Sequence, residues 1–250
     1  MSARVWDGVR PLLDTHHEVA ALTTLGHRGG ATASRRPVTL RDLVDDAERA
    51  LDERGLDRPH VAGNSLGGWM AIELARRGRA RTVSAFSPAG SWAAGTEEQA
   101  AGVRKIRKAI VLARLSRPLP MTVLMRSPTV RRMTLRDVAR HGDRLTAAQA
   151  VETTRDLLGC AIIGDLLGID DELAPLDPLP CPVRLAWSGD DAILPVAVNG
   201  AVARARLPSA RFEVLPGVGH VPMIDDSASV ARVILKTAAT VDVEAVSRDV

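Results

Sequence analysis

The segment Gly63-Asn64-Ser65-Leu66-Gly67-Gly68 sets a serine in a Gly-x-Ser-x-Gly pattern. An apolar run that predicts a strand precedes it, and one that predicts a helix follows. A sharp strand-to-helix turn holds such a serine in a strained backbone conformation and lifts its hydroxyl above the sheet. Side chains at positions 63 and 67 would collide in that turn, so glycine is expected at both. The following helix turns its N-terminus on the reaction centre, where it favours negative charge. The chemistry that fits is nucleophilic attack by Ser65.

A serine hydroxyl is a weak nucleophile without a base, and six histidines are available. His16 and His17 read as surface residues, His27 sits in the glycine turn Gly26-His27-Arg28-Gly29-Gly30, His60 opens a strand, and His141 lies in a basic stretch. His220 differs from these five. Gly217-Val218-Gly219-His220 follows the last expected strand directly, so its loop can carry the imidazole over the sheet edge where Ser65 stands. A carboxylate must then orient the imidazole and stabilise its charged form. The run Trp187-Ser188-Gly189-Asp190-Asp191-Ala192-Ile193-Leu194-Pro195 offers two adjacent acids, and charge alone does not choose between them. Asp225 and Asp226 lie closer to His220 in sequence but read as caps of the closing helix.

The elements that must position these residues alternate strand and helix. A short helix is expected over Val5 to Leu13 and a brief strand over Glu18 to Leu22. Thr39 and Asp42 form a capping box for a helix whose Leu40, Leu43, Val44, Ala47 and Leu51 recur at helical spacing. Strands follow at His60 to Gly63, Thr82 to Phe86, Val183 to Trp187 and Arg211 to Leu215. Helices are expected over Leu66 to Arg77, Val196 to Arg206 and Ser227 to Ala239. This order implies a parallel sheet with helices on its faces. From Ser91 to Pro175 the alternation stops and helical signals dominate, including a second capping box at Thr146 and Gln149.

Taken together, these residues resemble the serine α/β-hydrolase family along nearly the whole chain. The resemblance implies a mostly parallel sheet flanked by helices, formed by residues 1–90 and 176–250, with residues 91–175 as an inserted helical lid. Counting back from Pro195 along that family's strand–Gly–x–Asp–x–x–x–Pro segment selects Asp191 as the acid, with Asp190 as the fallback. The implied set is Ser65, Asp191 and His220, with the backbone N–H of Leu66 as an oxyanion donor and no metal or organic cofactor. A serine nucleophile rather than an aspartate argues against haloalkane dehalogenases and epoxide hydrolases. Hydrolysis of a small apolar ester is the leading expectation. Carbon–carbon bond hydrolysis, perhydrolysis and non-catalytic binding are the alternatives.

One departure stands out. The family's oxyanion loop, with a second donor, follows an early central strand and precedes a helix like that at Val5 to Leu13; here only Met1 to Arg4 come before that helix. Loss of one such donor costs about 100- to 1000-fold in rate. A start placed too far downstream is the favoured explanation, beside a truncated gene or a non-catalytic relative. The expected consequence is a defect beside Glu18 to Leu22, which either pairs poorly or leaves a neighbouring strand open.

Composition narrows the remaining classes. The 250 residues are 46% hydrophobic and 25% charged, enough to bury a core and incompatible with disorder over most of the length. Four Trp, two Phe and no Tyr are too few to build a stacking platform for single-stranded nucleic acid. No secretory signal and no apolar run long enough to span a bilayer is visible, so a cytoplasmic protein acting on a small-molecule substrate is expected. Cys160 and Cys181 have no metal-ligand spacing. The net charge of +3 conceals an asymmetry. Residues 101–145 hold 12 Lys and Arg against Asp137 and Asp143, a local +10 that leaves −7 for the rest. That lid surface reads either as a solvated helix face or as a contact for anionic lipid headgroups or an anionic substrate.

Overall fold

The computed structural model describes residues 2–93, 95–116 and 120–246. Four parallel strands, β1 (His60–Asn64), β2 (Thr82–Phe86), β3 (Val183–Ser188) and β4 (Arg211–Leu215), lie in the order β1-β2-β3-β4. Each neighbouring pair is parallel, with Gly63 opposite Ala85 and Phe86 opposite Ala186. Every residue of β2 and β3 is buried, as expected of strands covered on both faces.

The helices in chain order are α1 (Arg10–Leu13), α2 (Leu40–Asp52), α3 (Leu66–Arg76), α4 (Glu97–Leu115), α5 (Met121–Leu124), α6 (Pro128–Leu135), α7 (Ala147–Leu158), α8 (Ile163–Leu166), α9 (Ala201–Arg206), α10 (Pro222–Asp225) and α11 (Ser227–Val246). Helices α4 to α8 all fall between β2 and β3, where the strand–helix alternation of the sequence breaks off. The period-2 alternation of the strands sorts their side chains into two cores. Val83, Leu185 and Trp187 pack with Leu43 of α2 and Trp69 and Ile72 of α3. Phe86 and Ala186 pack on the other face with Val9, Leu13, Val230 and Ile234, and so against α1 and α11. No helix among the described residues is long and apolar enough to cross a membrane.

The N-terminal region departs from expectation. In place of one helix over Val5 to Leu13 there is a 3-10 turn, Ala3–Trp6, followed by the single-turn α1. Glu18 to Leu22 forms no strand, so among the described residues β1 is paired on one side only. Val19 to Leu22 and His60 to Gly63 instead line one cavity of about 1300 Å³. The strand expected at 18–22 is therefore corrected: an apolar pattern alone does not make a strand, which exists only with a neighbour to pair its N–H and C=O groups.

Helix α2 begins as its sequence demands. The Thr39 hydroxyl accepts from the Asp42 N–H, and the Asp42 carboxylate accepts from the Thr39 N–H at 2.9 Å. The bonds from Thr39 and the neighbouring Arg35 hold the Asp42 carboxyl down to about 2. Thr39→Ala should lower unfolding free energy by about 1 kcal/mol in urea titration. Because the folded-state carboxyl is depressed, the contribution of Asp42 is present above the usual carboxylate range and is lost as pH falls from about 4 through about 2. The penalty of the substitution should shrink over that interval.

Candidate active site

β1 delivers the chain to Ser65 at φ 54° and ψ −118°, a backbone conformation that side chains rarely adopt. Three hydrogen bonds hold it there. The Ser65 N–H donates to Phe86 O at 2.9 Å, and Ser65 O accepts from the N–H groups of Trp69 at 3.1 Å and Ala89 at 3.0 Å. Ser65 occupies the N-cap position of α3, yet its hydroxyl makes no capping bond. The Leu66 N–H, in the first turn of α3, has no hydrogen-bond acceptor among the described residues. It is available to a developing negative charge.

The glycines divide the work differently from the expectation. A Cβ at Gly63 would stand 2.0 Å from Gly67 O, so the strand and helix backbones touch there. A Cβ at Gly67 would meet nothing within 4 Å, which corrects the expectation of a collision at that position. The second close approach belongs to Gly68, whose Cβ would lie 3.1 Å from Gly63 O and 3.2 Å from Pro88. The sequence pattern marks where the turn is tight, but only the helix phase shows which glycine faces the strand.

His220 and Asp191 meet. His220 Nδ1 stands 2.8 Å from Asp191 Oδ2, with the Asp191 side chain wholly buried and that of His220 only 6% exposed. The other carboxylate oxygen, Oδ1, accepts from the N–H groups of Ile193 at 2.9 Å and Leu194 at 2.8 Å. Burial by itself would raise this carboxyl, but the adjacent His220 ring and the two N–H donors outweigh it, and Asp191 lies below the usual carboxylate range. Asp190 points away. Its side chain is half exposed and pairs with Arg140 at 3.6 Å.

Ser65 and His220 line the same cavity, although no hydrogen bond joins the hydroxyl to the ring in this structure. Such bonds are often long before substrate binds. The walls nearby are mostly apolar and include Leu66, Met70, Ile106, Leu112, Val138 and Ile193. At about 1300 Å³ the cavity exceeds the usual range for small-molecule sites, since it merges the space over Ser65 with the space along the open side of β1.

Two positioning residues were not legible beforehand. Asn64 Nδ2 donates to His220 O at 2.9 Å and Phe86 O at 3.1 Å, tying the histidine loop to the turn that carries Ser65. Asp225 was expected to cap the closing helix. Instead it is buried and accepts from the N–H groups of Gly219 at 2.7 Å, Arg140 at 2.8 Å and His141 at 2.6 Å. It thus anchors the histidine loop to the helical insertion. Asp226 does cap α11, accepting from Ser229 N–H at 2.9 Å. Adjacent acids before a helix read alike in sequence, and only the loop's path separates them.

The remaining histidines stand apart from Asp191. His16 is exposed, while His17 and His60 pack ring against ring at 5.4 Å, with His60 Nδ1 2.9 Å from Thr82 Oγ1. His27, pushed down to about 4 chiefly by burial, faces Leu25 O. Cys160 and Cys181 are buried free thiols, both raised by burial. No group of three or more His, Cys, Asp or Glu side chains among the described residues is placed to hold a metal ion.

The fold, the strained serine turn and the buried acid–histidine pair together define a hydrolase architecture, and comparison with known proteins assigns it. The alpha/beta hydrolase family model matches residues 1–233, and the chain belongs to that family. Epoxide hydrolase EphH of Mycobacterium tuberculosis is 30% identical over 196 residues, covering 77% of this chain and 91% of that protein. Among solved structures, a meta-cleavage product hydrolase from Pseudomonas fluorescens IP01 superposes with a TM-score of 0.70 at 17% identity, covering 96% of this chain and 86% of the other. A thermophilic esterase from Thermogutta terrifontis gives 0.68 at 20% identity, with the same two coverages.

The glycine geometry predicts opposite outcomes for two alanine substitutions. Gly63→Ala forces backbone against backbone and should destabilise by about 1–3 kcal/mol or more. Gly67→Ala should be neutral or stabilise by up to about 1 kcal/mol, because alanine favours the helix. Chemical denaturation of the two variants checks the order.

Proposed function

We propose that this protein is a serine hydrolase that cleaves small, largely apolar esters through an acyl-enzyme. The observation that carries the reading is the buried Asp191–His220 pair opening onto the same apolar cavity as Ser65. His220 Nε2 takes the Ser65 proton as Oγ attacks the ester carbonyl, and the Leu66 N–H receives part of the charge on the carbonyl oxygen. Collapse of the tetrahedral intermediate breaks the C–O bond, with His220 returning the proton to the departing alcohol. Water, activated by the same imidazole, then releases the acid and restores Ser65. Asp191 keeps the Nδ1 proton in place throughout, so that Nε2 is the basic nitrogen. The helical insertion over the cavity acts as the lid, and the site of action is the cytoplasm.

The name of the mycobacterial relative raises an epoxide as a second substrate. The residue at the turn argues against it. A carboxylate that opens an epoxide forms an ester, which water cleaves, whereas Ser65 would form an alkyl ether, which it does not.

A fluorophosphonate probe tests the reading. It should label the protein at Ser65, and Ser65→Ala should abolish labelling. Asp191→Asn should slow labelling and ester turnover by about 10⁴-fold, through the wrong histidine tautomer, while Asp190→Asn should leave both within a few-fold. A folded sample that takes no label would make this a binding protein instead. Turnover of an epoxide in place of an ester would refute the acyl-enzyme.

A further inference from the structure

We infer that the outer surface formed by the second half of α4, by α5 and by α6 is a docking face for an anionic lipid surface, from which the cavity takes amphiphilic esters. The substrate clause rests on the proposed hydrolase; the docking clause does not.

Ten large apolar side chains are exposed among the described residues, and six of them fall within residues 111–133: Val111, Leu112, Leu115, Val123, Leu124 and Met133. Leu115 is 70% exposed and Met133 64%, far from the usual half-covered surface leucine. Cations are set among them at helical spacing. On α4, Arg107 lies one turn before Val111, Lys108 one turn before Leu112, and Arg114 beside Leu115. Arg107, Lys108, Arg114, Arg126, Arg132 and Arg136 have no carboxylate partner among the described residues. Within the insertion only Arg104, Arg140 and Arg155 pair with a carboxylate among the described residues.

Aliphatic side chains interleaved with free cations match the boundary between lipid headgroups and acyl chains. A second copy of the same face would bring two strongly positive surfaces together. Nucleic acid would use the cations but leave the aliphatics wet, and no exposed aromatic is present here to stack a base. The face is also continuous with the cavity. Leu112, Leu124 and Met133 are exposed yet line the space that contains Ser65 and His220. An acyl chain leaving the lipid would meet apolar surface along its path.

Flotation with vesicles tests this, using the intact protein. Wild type should bind vesicles of equal phosphatidylglycerol and phosphatidylcholine at least tenfold more tightly than phosphatidylcholine alone at low salt. Each cation near a charged membrane contributes about fivefold. Arg107→Glu with Arg114→Glu and Arg132→Glu should therefore weaken binding at least a hundredfold. Val111→Ser with Leu115→Ser and Val123→Ser should also release the protein from vesicles, while leaving retention on heparin unchanged. None of these six side chains lines the cavity, so both variants should keep wild-type fluorophosphonate labelling in solution. Vesicle binding without labelling would sink the hydrolase and spare the docking face. Equal binding to neutral and anionic vesicles, or vesicle binding that the serine variant retains in full, would overturn the docking face.

Discussion

A carboxylate with no exposed surface stands 2.8 Å from a nearly buried imidazole, and the loops after β3 and β4 are shaped to keep it there. An isolated ionised carboxylate would be expensive in such a place. Asp191 is tolerated because two backbone N–H groups and the His220 ring satisfy it from three directions. The loop that holds those N–H groups is itself pinned by Trp187, whose indole Nε1 donates to Leu194 O at 2.8 Å from within the core. Removing the carboxylate would therefore disturb the ring's orientation and the turn together.

The histidine loop has three further attachments, each to a different part of the fold. Asp190 N–H donates to Val218 O at 3.0 Å, Asn64 holds the His220 carbonyl, and Asp225 holds the Gly219 N–H. Gly219 also lies against the backbone of Ala139 and Arg140, close enough that a Cβ would come within 3.0 Å. The ring's position thus depends on the sheet, the serine turn and the insertion at once. Movement of residues 138–141 would be felt at His220 directly, which couples the insertion to the cavity that it helps to line.

Much of this was legible in the sequence because the signals were local. The Thr39 and Thr146 capping boxes, the Pro-flanked strand before Trp187 and the serine between glycines each depend on residues a few positions apart. The choice of Asp191 over Asp190 was not legible from charge and came from family spacing; the physical difference is that one side chain turns into the core and the other toward Arg140. What stayed hidden depends on distant partners. Asn64 meets His220 across 156 residues, and Asp225 bridges to the insertion across 85. The segment 18–22 shows the converse case, where a local strand signal was present but the residues form no strand.

The account stands on the Asp191–His220 bond fixing one tautomer, and proton NMR reads that bond without any substrate. A hydrogen on Nδ1 shared with a buried carboxylate resonates far downfield of ordinary amides. Such a signal should appear in the wild-type protein, vanish in Asp191→Asn and persist in Asp190→Asn. A downfield signal that survives loss of Asp191, or its absence from a folded wild type, would mean that the imidazole is not held as described.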